Sequence, residues 1–245
     1  MEVPLLWVQN ISKRFGGLQA LSGVSFKLEE GELVGLIGPN ASGKTTLLNV
    51  INGYHTPDSG WIRLRGERIN GLSPFQIARK GVARMFQITH IFPRMSVLEN
   101  MLTVGYAIGR IPAKSLVHRA HEILDQLSLR DWIYEPAASL SGGQRKLLEF
   151  GACFMAAPRL ALLDEPFAGV HPELKAVMER FIQSYHAEGG TVFIVSHDIP
   201  ALVSICPRLI ALHAGVLLAD GPTEQVIRDE AVLESYLGSY TPSEV

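Results

Sequence analysis

At 245 residues, 47% hydrophobic and 19% charged, the chain has the composition of an ordinary globular protein with one sizeable core, or a core with an inserted subdomain. A formal net charge of -2 argues against a polyanion-binding surface, so nucleic acid is not an expected partner. No segment reaches the roughly 18 uninterrupted apolar residues of a membrane span, because the closest, 199–218, is broken by Pro200, Pro207, Arg208 and His213. The start, Met1-Glu2-Val3-Pro4-Leu5, lacks the basic-then-apolar pattern of a secretion signal. Any membrane association is therefore expected to come through a partner. Cys153 and Cys206 lie in apolar surroundings and match no metal-ligand spacing, which reads as buried, reduced thiols.

In chain order, Leu5, Trp7 and Ile11 alternate with polar residues in a first strand, and Lys13-Arg14-Phe15-Gly16-Gly17 is a turn with one exposed aromatic. Val24, Phe26 and Leu28 alternate again before a turn at Glu30-Gly31, and Leu33-Val34-Gly35-Leu36-Ile37 is an apolar strand. A helix over 44–52 is expected to end at Gly53, with a turn at Pro57-Asp58-Ser59-Gly60 and a strand over 61–64. Ser73-Pro74 opens a short helix to Lys80, and 82–86 is a strand ending in Gln87. From about residue 88 the texture changes to helical runs, 97–106 and 115–127, punctuated by Pro93 and Pro112. An amphipathic run over 146–156 follows Leu140-Ser141-Gly142-Gly143-Gln144. Then come an apolar strand over 160–163, a helix over 172–187, a strand over 191–195, two strands near 209–212 and 216–218, and a polar helical tail closing at Tyr236-Leu237-Gly238. Strands alternating with helices predict an α/β fold: an open, mostly parallel sheet with its ligand at the strands' carboxyl ends, preceded by antiparallel β structure and interrupted by a helical insertion.

One stretch organises the rest. Gly38-Pro39-Asn40-Ala41-Ser42-Gly43-Lys44-Thr45, followed by Thr46, fits G-x-x-x-x-G-K-[ST] between an apolar strand and a helix. Glycines let the backbone close around a polyphosphate, and the helix N-terminus points free N–H groups at the anion. Lys44 supplies a cation for the outer phosphates and Thr45 a hydroxyl for Mg²⁺. Gln87, Asp164-Glu165 and His197 stand at other strand ends, where ligands of such sheets sit. Asp164 suits the metal, Glu165 the attacking water as general base, and His197 the γ-phosphate. Taken singly, an Asp-Glu pair is more often a solvated turn and a histidine after a strand more often structural; their joint placement carries the assignment. Ser141 and Gln144 form a capping-box pattern that can simply start a helix, while the intervening glycines can also expose helix N–H groups to an external anion.

With these motifs in this order, the chain resembles the ATP-binding subunits of ATP-binding cassette (ABC) transporters over essentially its whole length. The resemblance implies a single nucleotide-binding domain with a P-loop (RecA-like) core over about 1–88 and 158–220, a helical subdomain over about 89–157 and a tail over 221–245. It implies that Phe15 stacks on adenine and that Gly38, Pro39, Asn40, Ala41, Ser42, Gly43, Lys44, Thr45 and Thr46 wrap the phosphates of ATP. Thr45, Gln87 and Asp164 would serve Mg²⁺, with Gln87 also sensing the membrane partner; Glu165 would be the catalytic base and His197 the switch histidine. Leu140, Ser141, Gly142, Gly143 and Gln144 would be the signature sequence that closes over the nucleotide of a second ATPase subunit. Two positions depart from the family pattern. Ala41 replaces a frequent glycine, which at positive φ costs about 1 kcal/mol, and His171 stands where an aspartate is usual.

Within the family, the runs Arg14-Phe15-Gly16-Gly17-Leu18 and Gly81-Val82-Ala83-Arg84-Met85-Phe86-Gln87, the pair Ala168-Gly169 and the closing Tyr236-Leu237-Gly238 are similar to those of branched-chain amino acid importer ATPases. That implies permease subunits, a second ATPase subunit in a hetero- or homodimer, a solute-binding protein acting indirectly, and a place on the cytoplasmic face of the membrane. The segment Ile91-Phe92-Pro93-Arg94-Met95 is the candidate permease contact, against packing of Phe92 and Met95 inside the helical subdomain. Two other readings share the motifs: a lipid or polysaccharide exporter ATPase, and a soluble cassette ATPase unconnected with transport. A small-molecule kinase would leave the signature sequence unexplained.

Overall fold

Alternation near the amino end produces two antiparallel strands, β1 (Leu6–Phe15) and β2 (Leu18–Leu28). Leu6, Val8 and Ile11 of β1 turn inward, and the register runs from Leu6 opposite Leu28 to Phe15 opposite Leu18. The computed structural model describes residues 3–86 and 91–237. It divides into two units, one made of residues up to Pro74 together with those from Phe193 onward, the other of Phe75–Val192.

In the first unit, β4 (Ser59–Leu64) and β5 (Glu67–Arg68) extend the hairpin into a four-stranded sheet of order β2-β1-β4-β5. On its outer face Trp7 and Trp61 meet edge to face at 4.7 Å, flanked by Lys27 at 4.5 Å and Arg63 at 4.8 Å from the rings. Such cation–π contacts cover the aromatic faces of the two central strands while the charged heads stay in solvent. The other sheet of this unit centres on β3 (Leu33–Ile37), all five residues buried, as an apolar run covered on both faces demands. β9 (Arg208–His213) runs parallel to it, with Val34 opposite Arg208 and Ile37 opposite Ala211, and β10 (Val216–Pro222) folds back antiparallel on β9. The end of β8 (Thr191–Val195) borders β3 on the other side. Arg208 fastens this edge. It bonds both oxygens of Glu32 at 3.0 and 2.9 Å, both of Asp220 at 2.8 Å, and the Lys27 carbonyl at 3.0 Å.

Helix α1 (Lys44–Ile51) follows β3, and α7 (Ile199–Ile205), α8 (Thr223–Val226) and α9 (Glu230–Leu237) accompany the last strands. The α7 helix is absent from the sequence expectation, which noted Pro200 only as an interruption of an apolar run. Pro200 instead occupies the first turn, where a missing N–H costs nothing, and Asp198 caps it by accepting Ala201 N–H at 3.1 Å.

In the second unit, after α2 (Pro74–Arg79), β6 (Val82–Met85) pairs in parallel with β7 (Leu160–Asp164), Val82 opposite Leu160 and Met85 opposite Leu163; the start of β8 lies beside β7. The helices are α3 (Val97–Ile108), α4 (Ala113–Gln126), α5 (Gly142–Phe154) and α6 (Pro172–Ala187). Phe150 and Phe154 of α5 pack edge to face on Phe181 at 5.3 and 4.8 Å, and Phe154 also meets Tyr185 at 4.8 Å. The Arg119 guanidinium donates twice to the Phe154 carbonyl, at 2.8 and 3.1 Å, and so satisfies the end of α5.

Candidate functional site

In the first unit the loop 38–43 leaves β3 and enters α1. Gly38 has φ 156 and a Cβ there would collide with the Leu212 carbonyl and Ser42 Oγ; Gly43, φ 106, would place one 2.6 Å from the Ala20 carbonyl. Both are backbone contacts that cannot yield, so the curve of the loop demands glycine at each end. Gly43 is also the N-cap of α1 and provides no side-chain acceptor, which leaves the first N–H groups of the helix to an external anion. Lys44 is buried, and its ammonium donates to the carbonyls of Gly38 at 2.6 Å and Pro39 at 2.9 Å, across the loop it serves. Asn40, Ala41 and Thr45 are exposed, Ser42 is buried and Thr46 half-buried. Ala41 takes φ 62, so the strain expected of an alanine in place of glycine is present. Phe15, at the tip of β1, keeps 41% of its surface exposed. His197 is exposed just beyond β8, between Ser196, which accepts Asp198 N–H at 3.1 Å, and the Asp198 cap of α7.

In the second unit β7 ends on Asp164 and Glu165, both buried. Asp164 Oδ2 pairs with Arg84 of β6 at 3.0 Å, and each side chain is 3% exposed. A guanidinium in a strand interior is tolerated because it meets this carboxylate. Glu165 has φ 49, a left-handed conformation that glycine adopts freely and glutamate does not. Its carbonyl accepts the Lys146 ammonium at 3.1 Å, and the Ala168 carbonyl accepts the same ammonium at 2.6 Å. Burial lowers the Lys146 pKa, while the charges of Glu149 and Glu165 push it back up.

Lys146 lies on α5, whose N-cap is Ser141. Ser141 Oγ accepts Gln144 N–H at 3.3 Å and Gln144 Oε1 accepts Ser141 N–H at 2.9 Å, a complete capping box. The local reading of this stretch is therefore realised: Leu140 is buried beneath it, Gly143 and Gln144 are half-buried, and a Cβ on Gly142 would meet nothing within 4 Å. The helix start is open to approach from outside. Gln87 lies outside the described residues.

Sequence reasoning did not assign roles to Arg84 or Lys146. The sign available was a charged residue inside an otherwise apolar strand or helix face, which predicts a buried partner without naming it.

Among the described residues no group of three or more His, Cys, Asp or Glu side chains could hold a metal ion. Taken separately, Asp164 in the second unit offers a carboxylate and Thr45 in the first a hydroxyl, oxygen donors of the kind Mg²⁺ takes while it keeps waters and substrate phosphates. The family described as ABC transporter matches residues 21–168. The chain belongs to the ABC transporter family. This ABC chain is 36% identical over 257 residues to the high-affinity branched-chain amino acid transport ATP-binding protein BraF of Pseudomonas aeruginosa, covering 97% of this chain and 99% of that protein. It is 35% identical over 247 residues to the probable branched-chain amino acid transport ATP-binding protein LivG of Archaeoglobus fulgidus, covering 96% of each. A crystal structure of an ATP-binding cassette of an ABC transporter in its ADP conformation superposes with a TM-score of 0.85 at 33% identity, over 97% of this chain and 99% of that one. The ABC protein described here is thus an ATPase subunit of a transporter. No described helix is long and apolar enough to cross a membrane.

Proposed function

We propose that the chain hydrolyses ATP to energise uptake of branched-chain or other hydrophobic amino acids, or related small organic solutes, through partner permeases on the cytoplasmic face of the cell membrane. What carries the cargo class is the similarity, over nearly the whole chain, to ATP-binding proteins named for branched-chain amino acid transport. The chemistry rests on the residues themselves. Phe15 stacks on the base, the backbone N–H groups of Gly38, Asn40, Ala41, Ser42, Gly43 and Thr46 cradle the phosphates in a loop that Pro39 shapes without donating, and Lys44 neutralises the outer ones. Thr45, Gln87 and Asp164 would hold Mg²⁺, which when bound supplies further neutralisation of the developing charge.

Glu165 accepts the proton of the attacking water. The water oxygen bonds to the γ-phosphorus, the bond to the bridging oxygen breaks, and ADP and phosphate leave. His197 stabilises the γ-phosphoryl oxygens. The open start of α5, with Leu140, Ser141, Gly142, Gly143 and Gln144, closes over the nucleotide of a second ATPase subunit, so the working form is a homo- or heterodimer. For the permease, Phe92 is 54% exposed and Met95 half-buried. Buried Asn100 holds their loop, accepting Phe92 N–H at 2.7 Å and donating to the carbonyls of Phe92, Met95 and Ser96 at 3.0, 3.3 and 2.9 Å. That leaves the Phe92 ring available to a permease helix.

The test is capture of partners by tagged Glu165→Gln protein from gently solubilised membranes with ATP and Mg²⁺. Multi-span permeases are expected, with a second cassette ATPase or a second copy of this chain, and ATPase stimulation of the wild-type assembly by branched-chain amino acids with their binding protein. Recovery of soluble partners alone would overturn the transport reading.

A further inference from the structure

The base-stacking ring, Phe15, is too exposed for burial to fix its orientation. What fixes it is the stretch after α1. The His55 ring meets Phe15 edge to face, centroids 5.1 Å apart at 72°. On the strand itself Lys13 Nζ stands 5.4 Å from the Phe15 centroid, and Asp58 Oδ1 holds that ammonium at 2.9 Å. Asp58 Oδ2 accepts Arg14 N–H at 2.6 Å, and the Asp58 N–H returns to the Ser12 carbonyl at 2.9 Å. One aspartate thereby ties the three residues that precede Phe15, 44 to 46 positions away in sequence. The bonds from Lys13 and Arg14 hold its carboxyl below the ordinary carboxylate range.

The stretch is itself anchored to the phosphate end of the site. Tyr54 and His55 donate their N–H groups to the Asn49 carbonyl of α1 at 2.9 and 3.1 Å. An eight-residue helix is about 12 Å long, and this one carries Lys44 and Thr45 at its start. The base wall and the phosphate loop are therefore set by the two ends of one rigid element.

We propose that Asp58 is a positioning residue for the nucleotide base: through Lys13 and the β1 backbone it presets the Phe15 ring against His55, so that ATP meets an ordered wall. The inference rests on Phe15 being the base-stacking residue. Without the clamp, ordering an exposed aromatic falls on the binding step, which weakens affinity roughly 3- to 10-fold.

The experiment compares ATP with inorganic tripolyphosphate, which has the phosphates and no base, by calorimetric titration of wild-type, Asp58→Ala, Asp58→Asn and Phe15→Ala proteins. Asp58→Ala is expected to weaken ATP and raise its KM roughly 3- to 10-fold, with kcat and tripolyphosphate affinity within about twofold of wild type. Asp58→Asn, which keeps an acceptor for Arg14, falls between. Phe15→Ala should weaken ATP at least as much and spare tripolyphosphate. If Phe15→Ala weakens ATP while Asp58→Ala does not, the clamp is overturned and the base reading stands. If Asp58→Ala weakens both ligands alike, Asp58 acts on the whole loop and the proposal is overturned. If Phe15→Ala leaves ATP affinity unchanged, the base reading fails and the clamp with it.

Discussion

Lys146 brings a positive charge to the backbone of the strained turn after β7, where it bonds the carbonyls of Glu165 and Ala168. A non-glycine residue in the left-handed region costs about 1–2 kcal/mol, and it persists only where its surroundings over-determine it. The ammonium restrains that turn alongside the Ala168 N–H, which donates to the Glu165 carbonyl at 3.3 Å, and it issues from the helix that opens with Ser141. Lys146→Met keeps the aliphatic stem and removes the charge-assisted bonds, each of which contributes about 1.5–3 kcal/mol. With Glu165 as general base, the expected result is a kcat at least about tenfold lower with ATP affinity nearly unchanged, read by single-turnover hydrolysis beside equilibrium binding. Normal turnover would show that Glu165 holds its geometry without the lysine. None of this was legible from the string: the bonds span 19 and 22 residues, and the Arg84–Asp164 pair spans 80. Spacing rules reach a helix turn or a hairpin, not contacts made by the fold.

At the scale of elements, legibility followed physical distinctness. The runs that became β3, β7 and β8 were legible because a strand covered on both faces has no polar alternation to blur it. The start of α5 was legible in the capping-box pattern of Ser141 and Gln144 although the amphipathic run is clear only from Lys146, and the box prevails over the poor helix propensity of Gly142 and Gly143. The α6 start shows the opposite situation. His171 is its N-cap, with extended φ -62 and ψ 144, and its side chain accepts no bond from the helix. Pro172 donates nothing, so the N–H groups of Glu173 and Leu174 are the ones a cap would reach. His171→Asp supplies a carboxylate there and favours the positive end of the dipole, against some repulsion from Glu173. The expected gain is about 1 kcal/mol, a Tm higher by about 2–4 °C in calorimetry. An unchanged or lower Tm would mean that this helix end is already satisfied by solvent.

The whole chain carries its two cysteines one in each unit, Cys153 on α5 and Cys206 at the end of α7, and both are buried and reduced as their apolar contexts implied. Burial pushes the Cys206 thiol up to about 12 and the Cys153 thiol higher still, with Glu149 adding to the latter. Buried thiols held protonated in this way are inert at neutral pH, so neither should react with a disulfide reagent while folded. Labelling must then follow opening of the chain, and peptide mapping by mass spectrometry reads each unit separately. If the chain opens as a whole, both thiols label at one rate. ATP at about 100 times its Kd then slows both about 100-fold, because ligand that binds only the folded state deepens that state by about 2.7 kcal/mol. Unequal rates, or a Cys153 rate that ATP does not touch, would mean that α5 opens locally while the nucleotide stays bound. A common, ATP-protected rate is the expected result, since each thiol lies among fully buried neighbours: Phe150 and Phe154 on the α5 side, Leu202 and Leu209 on the other. Neither can be reached without breaking the packing that carries its unit.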